Sequence, residues 1–177
     1  AEVEIKVDPE AVLSNGIQDV TNTLVGEYKL NEVLQMVLET IYRSMGFKHV
    51  LIFSRDNKLG MMVARFGFGE NVSAIIPRFR FPLAFESDVF HLALQKGLDI
   101  VIEDVAAPNI ASKIPAWHSS AVDSGYFLLL PVVVNKLAVG MIYADMQEAK
   151  KLQITPKQLS MLRTLRNQAV LAIKQKT

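Results

Sequence analysis

Two apolar runs late in the sequence, Tyr126 to Val134 and Leu137 to Ala144, limit the fold more than any other feature. Each is a continuous, β-rich run of strand length, and only Asn135-Lys136 lies between them. Such runs are core strands, and a two-residue connection makes them a tight antiparallel hairpin even without the usual turn glycine. The longest apolar stretch, Phe127 to Val134, is much shorter than the roughly 20 residues that span a bilayer. With an N-terminus that is acidic, unlike a signal peptide, the expected setting is soluble and cytoplasmic, with no membrane partner.

Helices with apolar stripes stand at both ends. Asp8-Pro9 is a helix start, an N-cap acceptor followed by proline at the first helical position, and Leu13, Ile17, Val20 and Leu24 follow at spacings of four, three and four. Gly26 interrupts this helix. A second one carries Leu30, Leu34, Val37 and Ile41 on one face, widened by Val33, Leu38 and Met45, and stops at Gly46. Thr155-Pro156 opens the last helix. There Leu159, Leu162, Ala169, Val170 and Ile173 form one stripe and Met161, Leu165 and Ala172 another, so this helix can contact the sheet and something else.

Between these ends, Lys48 to Ser54 and Met61 to Phe66 read as a hairpin, with Gly67 and Gly69 breaking the second strand. A short helix over 70–76, a strand over 78–81, a helix over 86–96 and a strand over 99–103 follow. Residues 106–124, with two prolines and little periodicity, form a long excursion of the kind that often carries function. No internal repeat occurs, and 177 residues suit one domain. The expected class is α/β in the α+β sense: an antiparallel sheet with helices packed on it.

Charge is unevenly placed. Residues 1–32 hold seven acidic side chains against Lys6 and Lys29, a net −5, while residues 148–177 hold seven basic ones against Glu148, a net +6. A basic helix can bind nucleic acid, but no recognition motif accompanies it. The opposite charges are accounted for by terminal helices lying side by side and attracting each other, so no direct nucleic-acid partner is expected.

Several stretches resemble the GAF family. Leu30 to Met45 looks like the helix before its sheet, and Gly46-Phe47-Lys48-His49-Val50 like the entry to its first strand. Asp99 to Asp104, a Pro-containing loop, Phe127 to Pro131 and Val139 to Ala144 look like its central and closing strands. The likeness spans about residues 20 to 175, and the whole is similar to GAF modules fused to bacterial HDOD-type signalling domains. It implies a GAF/PAS-like sheet of about six antiparallel strands, helices from both termini packed on one face, and a ligand pocket on the other. The implied organisation is an N-terminal helical segment, 1–29, and a GAF-like domain, 30–177, ending in the C-terminal helix. The implied function is a sensory or regulatory module of a larger bacterial signal-transduction protein. Such a module binds a small molecule or forms a homodimer through its terminal helices to control a fused output domain. The alternatives are a pure interaction module whose pocket is filled by its own side chains, and the effector domain of a transcription regulator.

Chemistry narrows this further. Without cysteine the chain has no disulfide, thiolate metal site, cysteine nucleophile or thioether-linked pigment, which excludes the bilin-attaching and methionine-sulfoxide-reducing GAF chemistries. Asn57-Lys58 and Asn135-Lys136 lack the Phe-x-x-x-Asp-Glu continuation of cyclic-nucleotide binders. His49, His91 and His118 have no ligand-like spacing, so no metal is expected, and Ser119 and Ser120 beside His118 make no triad. The expectation is a non-enzyme, and no cofactor is specified. Following the resemblance, Phe79, Phe81, Phe85, Phe90, Trp117, His118 and Tyr126 are the candidate pocket lining, against the competing reading that such aromatics simply pack a core. Arg78 and Arg80, alternating with Phe79 and Phe81, belong on the other face of their strand, solvated or open to an anion.

Overall fold

The computed structural model describes residues 8–149 and 153–177. The charges of Glu2, Glu4, Lys6, Lys150 and Lys151, and the start of the 1–29 segment, lie outside the described residues. In chain order the elements are α1 (Pro9–Leu24), α2 (Leu30–Ser44), β1 (His49–Asp56), β2 (Met61–Gly69), α3 (Val72–Ile75), β3 (Arg80–Pro82), α4 (Val89–Lys96), β4 (Ile100–Ile102), α5 (Ala116–Ala121), β5 (Tyr126–Val134), β6 (Leu137–Met146) and α6 (Pro156–Lys176). Short 3₁₀ turns occupy Ile76–Arg78 and Ala111–Lys113. The strands form one antiparallel sheet in the order β3-β2-β1-β6-β5-β4, an α+β fold of the expected kind.

The β5–β6 hairpin turns at Asn135 and Lys136, whose φ angles of 52° and 66° are the two left-handed residues that a two-residue turn of the twisted type demands. Asparagine tolerates this region, and lysine adopts it here without glycine's help. Pro131 fits inside β5 because β4 pairs only with Phe127, Leu128 and Leu129, so the proline lies past the end of that neighbour. Its carbonyl accepts a hydrogen bond from Arg166 of α6 at 3.1 Å.

Side chains alternate across the sheet. Val50, Ile52, Leu128, Leu130, Val132, Ile142 and Ala144 face α2 and α6, on which α1 packs, while Leu51, Phe53, Phe127, Leu129, Met141 and Tyr143 build a second core on the opposite face. Helix α6 begins in a capping box, with Thr155 and Gln158 exchanging side-chain and backbone hydrogen bonds. It lays Leu162, Leu165, Ala169 and Ala172 into the first core. The two stripes expected of α6 thus merge into one buried stripe, and Leu171 stays half-exposed.

Helices α1 and α6 run side by side. Gln168 donates to the Ile17 carbonyl at 3.0 Å and the Thr21 hydroxyl at 2.8 Å, and Tyr28 donates to Gln175 Oε1 at 2.7 Å. Lys157 pairs with Glu10, and the Lys176 ammonium lies 4.3 Å from the Tyr28 ring centre. Arg163 and Arg166 both turn to Asp99 beside β4, so part of the basic charge of α6 pins the sheet edge.

Several boundaries differ from expectation. Strand β2 continues through Gly67 to Gly69, because both glycines sit where a Cβ would run into the β1 backbone, and pairing carries on past them. Helix α4 starts at Val89, where Asp88 caps it by accepting from the His91 amide at 2.8 Å. Residues 76–78 wind into a 3₁₀ turn around Pro77 and delay β3 to Arg80.

The orientation of α6 is checked by comparing Leu162→Ala with Leu171→Ala in urea denaturation. Leu162 is fully buried and its truncation should cost about 2–5 kcal/mol, while the exposed Leu171 should change stability by no more than about 0.5 kcal/mol. Equal losses would refute this orientation.

Candidate functional site

The 106–124 excursion folds back over the sheet face opposite the helical layer. It carries α5, which brings Trp117 and His118 onto Phe79, Phe81 and Phe90. Trp117 stacks on Phe81 at 5.7 Å and 11°, meets Phe79 edge-on at 5.3 Å and approaches Phe90 to 4.7 Å between ring centres. His118 lies 4.6 Å from Phe127. Five of the seven candidate residues therefore meet, and they meet each other. Phe79, Phe81 and Phe90 are fully buried or nearly so, which is the packing of a core layer.

The other two stand elsewhere. Tyr126 is buried on the helical face, a consequence of strand alternation with Phe127, and burial followed by the nearby charge of Glu103 pushes its hydroxyl up to about 12. Phe85 is 60% exposed in the loop before α4, its ring centre 6.3 Å from that of His91 in an edge-on arrangement. Arg78 and Arg80 are exposed beside buried Phe79 and Phe81, as alternation requires.

A chain of buried hydrogen bonds crosses this layer, and sequence reading did not find it. Asp145, fully buried at the end of β6, meets His49 Nδ1 at 2.9 Å and accepts from the Tyr143 hydroxyl at 2.6 Å. His49 Nε2 lies 2.7 Å from the Glu70 carbonyl. Because the Tyr143 proton is committed to Asp145, His118 Nε2–H donates to the Tyr143 oxygen at 2.8 Å. That tautomer leaves Nδ1 of His118 as a buried lone pair without a partner among the described residues. Strand register builds the chain: His49 stands opposite Asp145 across β1 and β6, and Tyr143 shares its face two residues away. Alternation along Met141-Ile142-Tyr143-Ala144-Asp145 was the signal available in the sequence.

Gly69 makes room for His49. Its φ of 136° is a glycine conformation, and a Cβ there would lie 2.2 Å from the Lys48 carbonyl oxygen and 3.0 Å from the His49 ring. Beside this corner an open cleft of about 260 Å³ runs between the start of β1, the Glu70–Arg78 segment and the end of α5. Lys48, Glu70, Arg78 and Asp123 line it with His49.

At the start of α4, Glu86, Asp88 and His91 place one ligand-type atom each within 4.8 Å of one another. Asp88 caps the helix there, and His91 is held at 2.8 Å by Asp88 and at 2.7 Å by the Pro82 carbonyl, so these contacts account for the cluster as a helix start. No described helix is long and apolar enough to cross a membrane.

The GAF domain family model matches residues 29–173. The chain belongs to the GAF family. Among curated proteins none matches its sequence. Among solved structures, this GAF domain is similar to the GAF domain of a phosphoenolpyruvate-protein phosphotransferase from Coxiella burnetii, with a TM-score of 0.73 at 14% identity over 93% of this chain and 94% of that one. A putative GAF sensor protein from Burkholderia vietnamiensis gives 0.72 at 17%, covering 96% and 98%. Free methionine-R-sulfoxide reductase from Neisseria meningitidis, in complex with its substrate, gives 0.68 at 17%, covering 100% and 99%. At these identities the likeness is one of fold. A sensory or regulatory role in signalling is what this family typically serves.

The polar chain sets two opposite pH dependences. Burial pushes His118 down to about 4, with only partial opposition from the Asp145 charge. The unfolded chain takes up a proton there near pH 6.5, which the folded domain refuses until about 4, so stability falls as pH falls through that window, by about 3 kcal/mol. For His49, burial alone would lower the pKa, but the hydrogen bond and charge of Asp145 and the Glu70 carbonyl outweigh it and raise the value. Its contribution is fully present below pH 6.5 and is lost as pH rises through the raised value.

Urea midpoints measured from pH 4 to 8 test the acid arm. The native chain should lose stability from pH 6.5 down to 4 and His118→Asn should lose much less; a variant as steep as the native chain would assign the loss to other groups. Gly69→Ala should cost at least about 1 kcal/mol by thermal unfolding, and a native Tm would show that the corner holding His49 relaxes freely.

Proposed function

We propose that this GAF domain is a non-catalytic regulatory module of a larger bacterial signal-transduction protein in the cytoplasm. It dimerises through its terminal helices and acts through them on a fused output domain, of HDOD type by the sequence resemblance. The observation that carries this reading is the joining of α1 to α6 through Gln168, with α6 itself packed on the sheet at β5. A change in the sheet reaches α6 directly and α1 through α6 and α2.

The absence of cysteine and the burial of all three histidines support a role without catalysis. His49 and His91 have both ring nitrogens engaged, which leaves neither as a free general base. The mutual packing of Phe79, Phe81, Phe90 and Trp117 supports a module that regulates without a ligand inside that layer.

Native mass spectrometry of the purified chain should give a homodimer. Leu171→Arg, at a half-exposed position of α6, should give monomer with the native far-UV circular dichroism spectrum. A monomeric native chain, or a variant with undiminished dimer, would remove dimerisation through α6 from the reading.

A further inference from the structure

The cleft beside His49 is rimmed by four charged side chains that leave one another unpaired. Lys48 immediately precedes β1 and Glu70 immediately follows β2, Arg78 comes from the turn after α3, and Asp123 from just beyond α5. Among the described residues none of the four makes an ion pair. Arg78 commits one guanidinium nitrogen to the Ser120 carbonyl at 2.7 Å, and Asp123 accepts a single 3.4 Å bond from Gln147. Elsewhere on this surface opposite charges close on each other, as Arg163 and Arg166 do on Asp99.

We propose that this cleft binds a small zwitterion of free amino-acid size. The carboxylate is taken by Arg78 and Lys48, and the ammonium by Glu70 and Asp123. Two cations and two anions around about 260 Å³ leave a rim with no net charge, so a simple anion or cation meets as much repulsion as attraction. A molecule carrying both charges satisfies both pairs. The guanidinium suits the carboxylate because its planar fork can hold two oxygens together. Ala74, Ile75, Ala121 and Val122 supply the apolar lining for a short side chain.

The cleft also has a connection to α5. His49, in its lining, is tied through Asp145 and Tyr143 to His118 on α5, and Arg78 holds the end of the same helix at Ser120. A carboxylate on Arg78 draws on the same guanidinium that holds the Ser120 carbonyl. Trp117, the chain's single tryptophan, stands on α5 and reports its displacement. The binding claim goes beyond the regulatory reading and is measured without reference to oligomeric state, so either can fail alone.

The experiment is isothermal titration, with Trp117 fluorescence in parallel, of the full chain against each of the proteinogenic L-amino acids. Every amino acid that binds is then titrated as its N-acetyl and methyl ester derivatives. At least one amino acid should bind saturably and change the Trp117 emission, with each blocked derivative at least tenfold weaker. Arg78→Ala and Glu70→Gln, at exposed positions, should each weaken binding at least tenfold while the far-UV circular dichroism spectrum stays native. No saturable binding at millimolar concentration, equal binding of a blocked derivative, or native affinity in both variants would overturn the proposal. Binding without any change in Trp117 emission would overturn the connection to α5.

Discussion

A sheet whose central strands are apolar on both faces must be covered twice, and every other part of this domain answers that requirement. Strands β1, β5 and β6 bury alternate side chains in two separate cores, so neither face can be left to water. Helices α2 and α6 cover one face with aliphatic stripes, and α1 packs on both helices. The other is covered by α3, α4 and the α5 excursion, where large aromatic rings fill the layer. The rings suit a short, irregular cover because each one buries more area than an aliphatic side chain and a few of them close the layer.

Placing a carboxylate in that aromatic layer is the costly part of the arrangement. Asp145 is fully buried, and a buried charge is tolerated only with a partner and hydrogen bonds. His49 supplies the opposite charge, Tyr143 a proton donor, and the Glu70 carbonyl the second acceptor that fixes the imidazole. Each member depends on a position set by backbone pairing: His49 and Tyr143 by strand register, Glu70 by the glycine corner at Gly69. Tyr143, pushed well above its ordinary value by burial and then by the Asp145 charge, stays protonated and can both donate to Asp145 and accept from His118.

The fold was legible in the sequence because it rests on local signals. Asp8-Pro9 and Thr155-Pro156 announce their helices through capping chemistry, and the uninterrupted apolar runs before and after Asn135-Lys136 announce the central hairpin. The β2 end was not, since a glycine marks equally well a break and a close approach between strands, and only the register distinguishes them. The aromatic residues were found, yet Tyr126 and Phe127 are neighbours whose assignment to faces depends on a register the sequence leaves open. The polar chain and the charged cleft escaped detection for a stronger reason. Their members are drawn from residues 48–49, 70–78, 118–123 and 143–145, far apart along the chain, and no motif links them before the sheet does.

The sheet that separates the two layers also joins them. On β1, His49 faces the polar chain and Val50 faces the helices; on β6, Asp145 faces the chain and Ala144 the helices. These four residues lie in one pair of register positions, His49 opposite Asp145 and Val50 opposite Ala144. Close-packed cores accommodate little displacement without repacking, so a shift of β1 against β6 that alters the His49–Asp145 contact moves Val50 and Ala144 in the core beneath the helices by a comparable amount. That geometry links the His49 corner, through Val50 and Ala144, to the core beneath the helices.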